Sequence, residues 1–320
     1  MGSKPIVCPP RLRRGSRVAL VAPAGPLLER DDIARAGELC CALGYEPVVG
    51  LHAAGRFGYL AGTDAERLAD LNDAIGDDGI DAVWCLRGGY GVTRVLDGVD
   101  FDALVRRPKA VIGFSDITAL LAGVTRMAGV VAYHAPVARN PMPAFSRRHF
   151  ERVLTRAEPA GVLEPLPAPL DVLVPRNDRV IPLREGIAEG TLAGGNLSLL
   201  QCLIGTRWFP DLDGAILVLE DVNEDLYRVD RILAHLRAVG ALSRLAGVAV
   251  GRFTEIERHT PDGAFGFDEL LGQYLLPLGV PVAIGFPFGH IDAQWTLPLG
   301  VRARLDAGRG ILEIVAPAVA

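Results

Sequence analysis

The run Val111-Ile112-Gly113-Phe114-Ser115-Asp116-Ile117-Thr118 passes from an apolar strand into a helix with no linker between them. A serine at such an elbow has its oxygen lifted above the carboxyl edge of a sheet. The next backbone N–H, that of Asp116, is aimed at the same space. This placement suits a nucleophile. It equally suits a helix N-cap, a role serine fills often, and the second glycine of G-x-S-x-G is missing.

A second signal is Cys85-Leu86-Arg87-Gly88-Gly89-Tyr90-Gly91, a glycine-rich turn at the end of another strand of the same sheet. Its backbone can approach a ligand closely. A phosphate-binding loop would need G-x-G-x-x-G or a Lys-Ser/Thr pair, and neither is present. An amide that stabilises an oxyanion is the better match.

A serine attacks well only when a base takes its proton and a carboxylate orients that base. Six histidines are available. His235 falls inside an amphipathic helical stretch, His52, His149 and His259 sit in polar segments, and His134 follows a strand where a structural role suffices. His290 differs, because Gly285-Phe286-Pro287-Phe288-Gly289-His290 lies at the carboxyl end of a strand, where α/β proteins place their chemistry. For the carboxylate, Ala215-Ile216-Leu217-Val218-Leu219 runs into Glu220-Asp221. Asp221, with Glu224, has the alternative of favouring the N-terminus of the helix that begins near Tyr227. Glu220 stands closer to the apolar strand and is the preferred candidate.

These residues need a frame that brings distant segments together. Arg17–Ala22 reads as a strand, Arg30–Leu43 as a helix stopped by Gly44, and Tyr45–Val49 as a second strand. Asp64 caps a helix ending near Gly76. Ala82–Leu86, Ala110–Gly113 and Val130–Tyr133 are further strands, with a helix over Asp116–Met127. Prolines gather between Pro136 and Arg184 and predict no packed regular elements there. A second alternation follows: strands Glu189–Ala193, Ala215–Leu219, Val248–Gly251 and Val282–Gly285, helices Leu197–Leu203, Tyr227–Val239 and Phe267–Leu278, and a hairpin near Asp306–Gly310. The fold class is α/β: an N-terminal parallel-sheet, flavodoxin-like domain (1–140), a proline-rich connection (141–184), and a second α/β domain (185–320) with a terminal β-hairpin.

Composition narrows the function. The 320 residues are 50% hydrophobic and carry a net charge of −5. That supports two domains and argues against electrostatic binding of nucleic acid. Five cysteines without C-x-x-C spacing suit a reduced, cytoplasmic setting. Arg11, Arg13 and Arg14 before Val18–Ala22 imitate a signal peptide, but Pro23, Gly25 and Pro26 end the apolar run early. Leu270–Ile291 is long and uncharged, yet Pro277, Pro281 and Pro287 disqualify it as a membrane helix.

The ordered segments resemble the LD-carboxypeptidases, the serine peptidase family that also contains the microcin C self-immunity peptidases. Leu12 to Pro26 is similar to that family's opening strand, Arg87–Gly91 and Gly113–Asp116 to its oxyanion and nucleophile segments. Gly194-Gly195-Asn196-Leu197-Ser198-Leu199-Leu200, Leu219-Glu220-Asp221, Tyr227-Arg228-Val229-Asp230-Arg231 and Gly285–His290 continue the set. The resemblance implies a Ser115–His290–Glu220 triad split between the domains, with the Gly89 and Asp116 amides as oxyanion hole. It also implies a cytosolic homodimer that uses no metal or cofactor, with a murein tetrapeptide as substrate, cut before its terminal D-alanine. Two other readings stand: a peptidase or amidase acting on peptidyl- or aminoacyl-nucleotides, and a non-catalytic ligand-binding protein. An aromatic shelf in the loops would favour the nucleotide, and Trp84, Trp208 and Trp295 are the tryptophans on offer, Trp84 in a buried strand. Arg87 and Arg231 are candidates for clamping a substrate carboxylate, since a guanidinium binds carboxylate bidentately, and each has structural pairing as its alternative.

Overall fold

A computed structural model describes residues 5–167, 179–256 and 265–320. Pro169, Pro175 and His259 lie outside the described residues. Strand and helix alternate from the start: β1 (Arg17–Val21), α1 (Asp32–Ala42), β2 (Glu46–Val49), α2 (Asp64–Gly76), β3 (Ala82–Cys85), α3 (Val92–Val95), α4 (Phe101–Arg106), β4 (Ala110–Gly113), α5 (Thr118–Gly123) and β5 (Ala132–His134). β3 and β4 are apolar and buried at every position, as a parallel strand covered on both faces must be. The five strands pair in parallel in the order β5-β4-β3-β1-β2, the flavodoxin order. The loops after β1, β3 and β4 therefore share one sheet edge.

Two local expectations need correction. Thr63, and not Asp64, caps α2, because its side chain and that of Glu66 satisfy each other's backbone amides in a capping box. The proline-rich stretch also contains a packed helix, α6 (Ala144–Thr155). Pro143 occupies its N-cap position, where a missing N–H costs little, and Phe145, His149, Phe150, Val153 and Leu154 form a buried stripe at helical spacing. The Phe150 ring lies 4.9 Å from that of Trp84.

The stretch also supplies edge strands β6 (Pro159–Val162) and β7 (Ile181–Arg184) to a second sheet. After them come β8 (Ile187–Asn196), α7 (Leu197–Leu203), β9 (Ala215–Val222), α8 (Leu226–Ala238), β10 (Gly247–Thr254), α9 (Phe267–Leu275), β11 (Val282–Gly289), β12 (Leu297–Leu299), β13 (Arg302–Asp306) and β14 (Ile311–Pro317). β8 to β11 are parallel neighbours, flanked by antiparallel strands in the order β6-β14-β13-β8-β9-β10-β11-β7. β12 leaves this sheet and pairs antiparallel with β5, so the second half of the chain completes the first sheet. One buried core runs through both sheets, joining Val111 and Ile112 to Ile216, Phe286, Phe288 and Trp295. No helix among the described residues is long and apolar enough to cross a membrane.

Candidate active site

Ser115 follows β4 through Phe114 and adopts φ +65°. Left-handed backbone costs a non-glycine residue on the order of 1–3 kcal/mol and persists where the surroundings over-determine it. The surroundings here are Gly88: a Cβ at that position would stand 2.8 Å from Ser115 Cβ and 3.0 Å from its Oγ. The glycine lets the β3 loop close against the elbow. Phe114, and not Ser115, stands at the N-cap of the turn that Ser115 opens, and the Ser115 hydroxyl is bonded instead to His290.

His290 Nε2 lies 3.0 Å from Ser115 Oγ, and His290 Nδ1 lies 2.7 Å from Glu220 Oε2. The two bonds span 175 and 70 residues of sequence. β11 delivers the histidine after a register shift against β10, where Val250 opposes Ile284 but Arg252 already opposes Gly289. Such an irregularity re-aims a strand end. Gly289, at φ +115°, is required because a Cβ there would meet Glu220 Cβ at 2.9 Å. The imidazole packs on the Phe114 ring at 4.8 Å between centroids.

Consecutive residues of an extended strand point to opposite faces, and the adjacent acids of β9 follow that rule. Glu220 is fully buried and turns to His290. Asp221 turns away and accepts from Asn196 Nδ2 (2.8 Å), the Ser198 amide (2.9 Å) and the Ser198 hydroxyl (2.7 Å). Asn196 in turn caps α7 by accepting from the Leu199 amide. Burial raises the Glu220 carboxyl above its ordinary range, against the pull of the neighbouring imidazole.

The Asp116 amide follows Ser115 directly and Gly89 follows the Gly88 that packs on it, and neither amide has a described backbone acceptor outside its own element. The Asp116 carboxylate points inward, accepts from the Val92 amide at 2.9 Å, and is pushed up to about 6 by burial. It ties the glycine-rich loop to the elbow. Two residues named in the sequence gain a definite place here: Gly88 packs on the elbow, and His134 is structural. His134 is fully buried edge-on to Phe114 and Phe288, and burial and the nearby His290 push it down to about 3, so it is neutral. Its position after a strand suggests a structural role, but not the rings it packs against.

Of the two clamp candidates, Arg87 stays near the site, its Nη1 donating to the Pro26 carbonyl beside Gly25 and Gly89. Arg231 does not join it. Its guanidinium sits over the Tyr227 ring, 5.6 Å from the centroid, and no described contact links it to Ser115, Glu220 or His290. Among the described residues no group of three His, Cys, Asp or Glu is placed to hold a metal ion.

An arrangement of this kind can deprotonate a serine, hold the resulting imidazolium against a buried carboxylate, and receive negative charge on two amides. The model of the LD-carboxypeptidase N-terminal domain matches residues 18–135, and that of the LD-carboxypeptidase C-terminal domain matches residues 189–305. The murein tetrapeptide carboxypeptidase of Pseudomonas aeruginosa is 36% identical over 92% of this chain and 94% of its own. A solved muramoyltetrapeptide carboxypeptidase from Oxalobacter formigenes is 30% identical, with a TM-score of 0.79 over 94% of this chain and 99% of that one. A microcin C7 self-immunity protein, solved with aspartyl sulfamoyl adenosine, shares the fold at 24% identity, with a TM-score of 0.87 over 98% and 100% of the two chains.

Proposed function

The chain belongs to the LD-carboxypeptidase family, and from that premise we propose that it is a serine peptidase that removes the terminal D-alanine from murein tetrapeptides. The observation that carries the reading is the unbroken relay from Ser115 through His290 to Glu220, at 3.0 Å and 2.7 Å. Ser115 Oγ attacks the carbonyl of the third residue while His290 Nε2 takes its proton. The carbonyl oxygen gains the charge and turns toward the Gly89 and Asp116 amides. Collapse breaks the peptide bond, His290 returns the proton to the departing amine, and D-alanine leaves. The tripeptidyl ester on Ser115 is then hydrolysed by water, with His290 acting as base a second time. Glu220 holds Nδ1–H throughout, which keeps the reactive nitrogen facing the serine.

One observation favours a second reading, a substrate bearing a nucleobase or other flat group. Tyr59 and Tyr90 are exposed, with ring centroids 5.8 Å apart, and Tyr90 adjoins Gly89. Trp84 and Trp295 are buried and offer no such shelf, and Trp208 is half-buried with the Arg207 guanidinium over its ring. Mass spectrometry of muropeptides incubated with the protein tests the choice. We expect trimming by one D-alanine, and poor trimming of the same peptides ending in L-alanine. Equal rates on both diastereomers, or cleavage of aminoacyl-nucleotides alone, would refute the murein reading.

A further inference from the structure

A peptidase that trims one residue must recognise the free carboxylate one residue beyond the bond it cuts. The anchor therefore lies within about one Cα spacing, ~3.8 Å, of the space beside the oxyanion amides. Arg87 lies beside Gly89, its Cζ 4.0 Å from the position a Cβ would take there. A second arginine, Arg139, is anchored by its backbone next to it. The segment after β5 runs along the end of β3, with the Ala138 amide donating to the Cys85 carbonyl and the Arg139 amide to the Leu86 carbonyl.

Arg139 is poorly satisfied. Its Nε is buried without a hydrogen-bond partner among the described residues, and its closest acid is Asp32, at 3.9 Å from Nη1. Asp32 is already engaged, accepting from the Leu28 and Glu29 amides and from Arg35. Burial, and then the positive charges of Arg139 and Arg56, disfavour the charged form of Arg87. Guanidiniums crowded around one committed carboxylate are short of an anion, and their planar donors match a second carboxylate.

We propose that Arg139, with Arg87 beside it, is the anchor for the free terminal carboxylate of the substrate, an assignment that rests on the peptidase reading above. The same cations suit a carboxylate on the third residue's side chain, as in diaminopimelate, so the test separates the two. kcat and KM are measured for wild type, Arg139→Gln and Arg139→Lys on tetrapeptides with a free terminus, with a terminal amide, and with lysine in place of diaminopimelate. Arg139→Gln should lower kcat/KM for the free acid by about 10²-fold, chiefly through KM, and shrink the preference for acid over amide to under tenfold. Arg139→Lys should recover part of that preference, since it keeps the charge and loses the fork. A preference for acid over amide that survives Arg139→Gln overturns the anchor while the peptidase reading stands. A change confined to the diaminopimelate preference overturns the terminal assignment. Absence of any wild-type turnover overturns the peptidase reading and the anchor with it.

Discussion

The two sheets hold their site residues by different means. On the first, Ser115 is positioned by backbone: one left-handed residue after β4, wedged against Gly88 of the neighbouring loop. On the second, Glu220 and His290 are positioned by side-chain bonding at the ends of β9 and β11, with the acid fully buried and the base partly open. The difference assigns distinct tolerances. A backbone-set serine is sensitive above all to an atom added nearby, whereas the bonded pair, besides needing the bare Gly289, is sensitive to loss of the bond or of its charge.

The bonded pair gives the largest expected effect. Glu220→Gln should preserve packing yet favour the wrong imidazole tautomer and leave the imidazolium without its counter-charge. We expect a loss on the order of 10³–10⁴ in kcat, scaled from the aspartate substitution of the serine-protease triad. Substrate affinity should change far less. A loss under tenfold would remove Glu220 from the relay.

Gly88→Ala probes the backbone-set side. The new methyl would have to displace Ser115, and a shift of about 1 Å in a reacting group costs about 10²-fold. Wild-type kcat in this variant would show that the elbow is not held from that direction.

Asp116 links the loop to the elbow, and its titration should register as stability. Its folded value, about 6, lies above the ordinary 3.8, so the folded state holds the proton longer than the unfolded one. The stabilisation is complete below about pH 4 and is lost as pH rises through about 6, by at most about 3 kcal/mol. Denaturant melts of wild type and Asp116→Asn at pH 4 and pH 7 should diverge by that amount, wild type losing more. Parallel losses would place the titration elsewhere. The smallest catalytic effect belongs to Asp221→Asn, with under a tenfold change in kcat and a stability loss of about 1–3 kcal/mol from its bonds to Asn196 and Ser198. A kcat loss as large as that of Glu220→Gln would reverse the roles of the two acids.

The same contrast explains what the sequence reveals. Ser115 and its elbow are legible because the strand, turn and helix are contiguous, and the strand Ala110–Gly113 and the helix Leu197–Leu203 stand where the pattern puts them. The partnership of Glu220 with His290 is suggested by strand ends and family resemblance, but the choice over Asp221 follows from alternation along β9. β12 has no local signature, since Leu297–Leu299 is three residues with a central proline and exists through its pairing with β5. α6 is hidden by the prolines around it, which sit outside its hydrogen-bonded interior. Arg139 carries no pattern because its significance depends on which charges surround it.

The central claim is that Ser115 is the attacking group. A fluorophosphonate probe followed by peptide mapping tests it most directly. The account predicts one adduct, on Ser115, with activity lost in step with labelling and no adduct in Ser115→Ala. Labelling at another residue, or full turnover by protein fully labelled on Ser115, would contradict it.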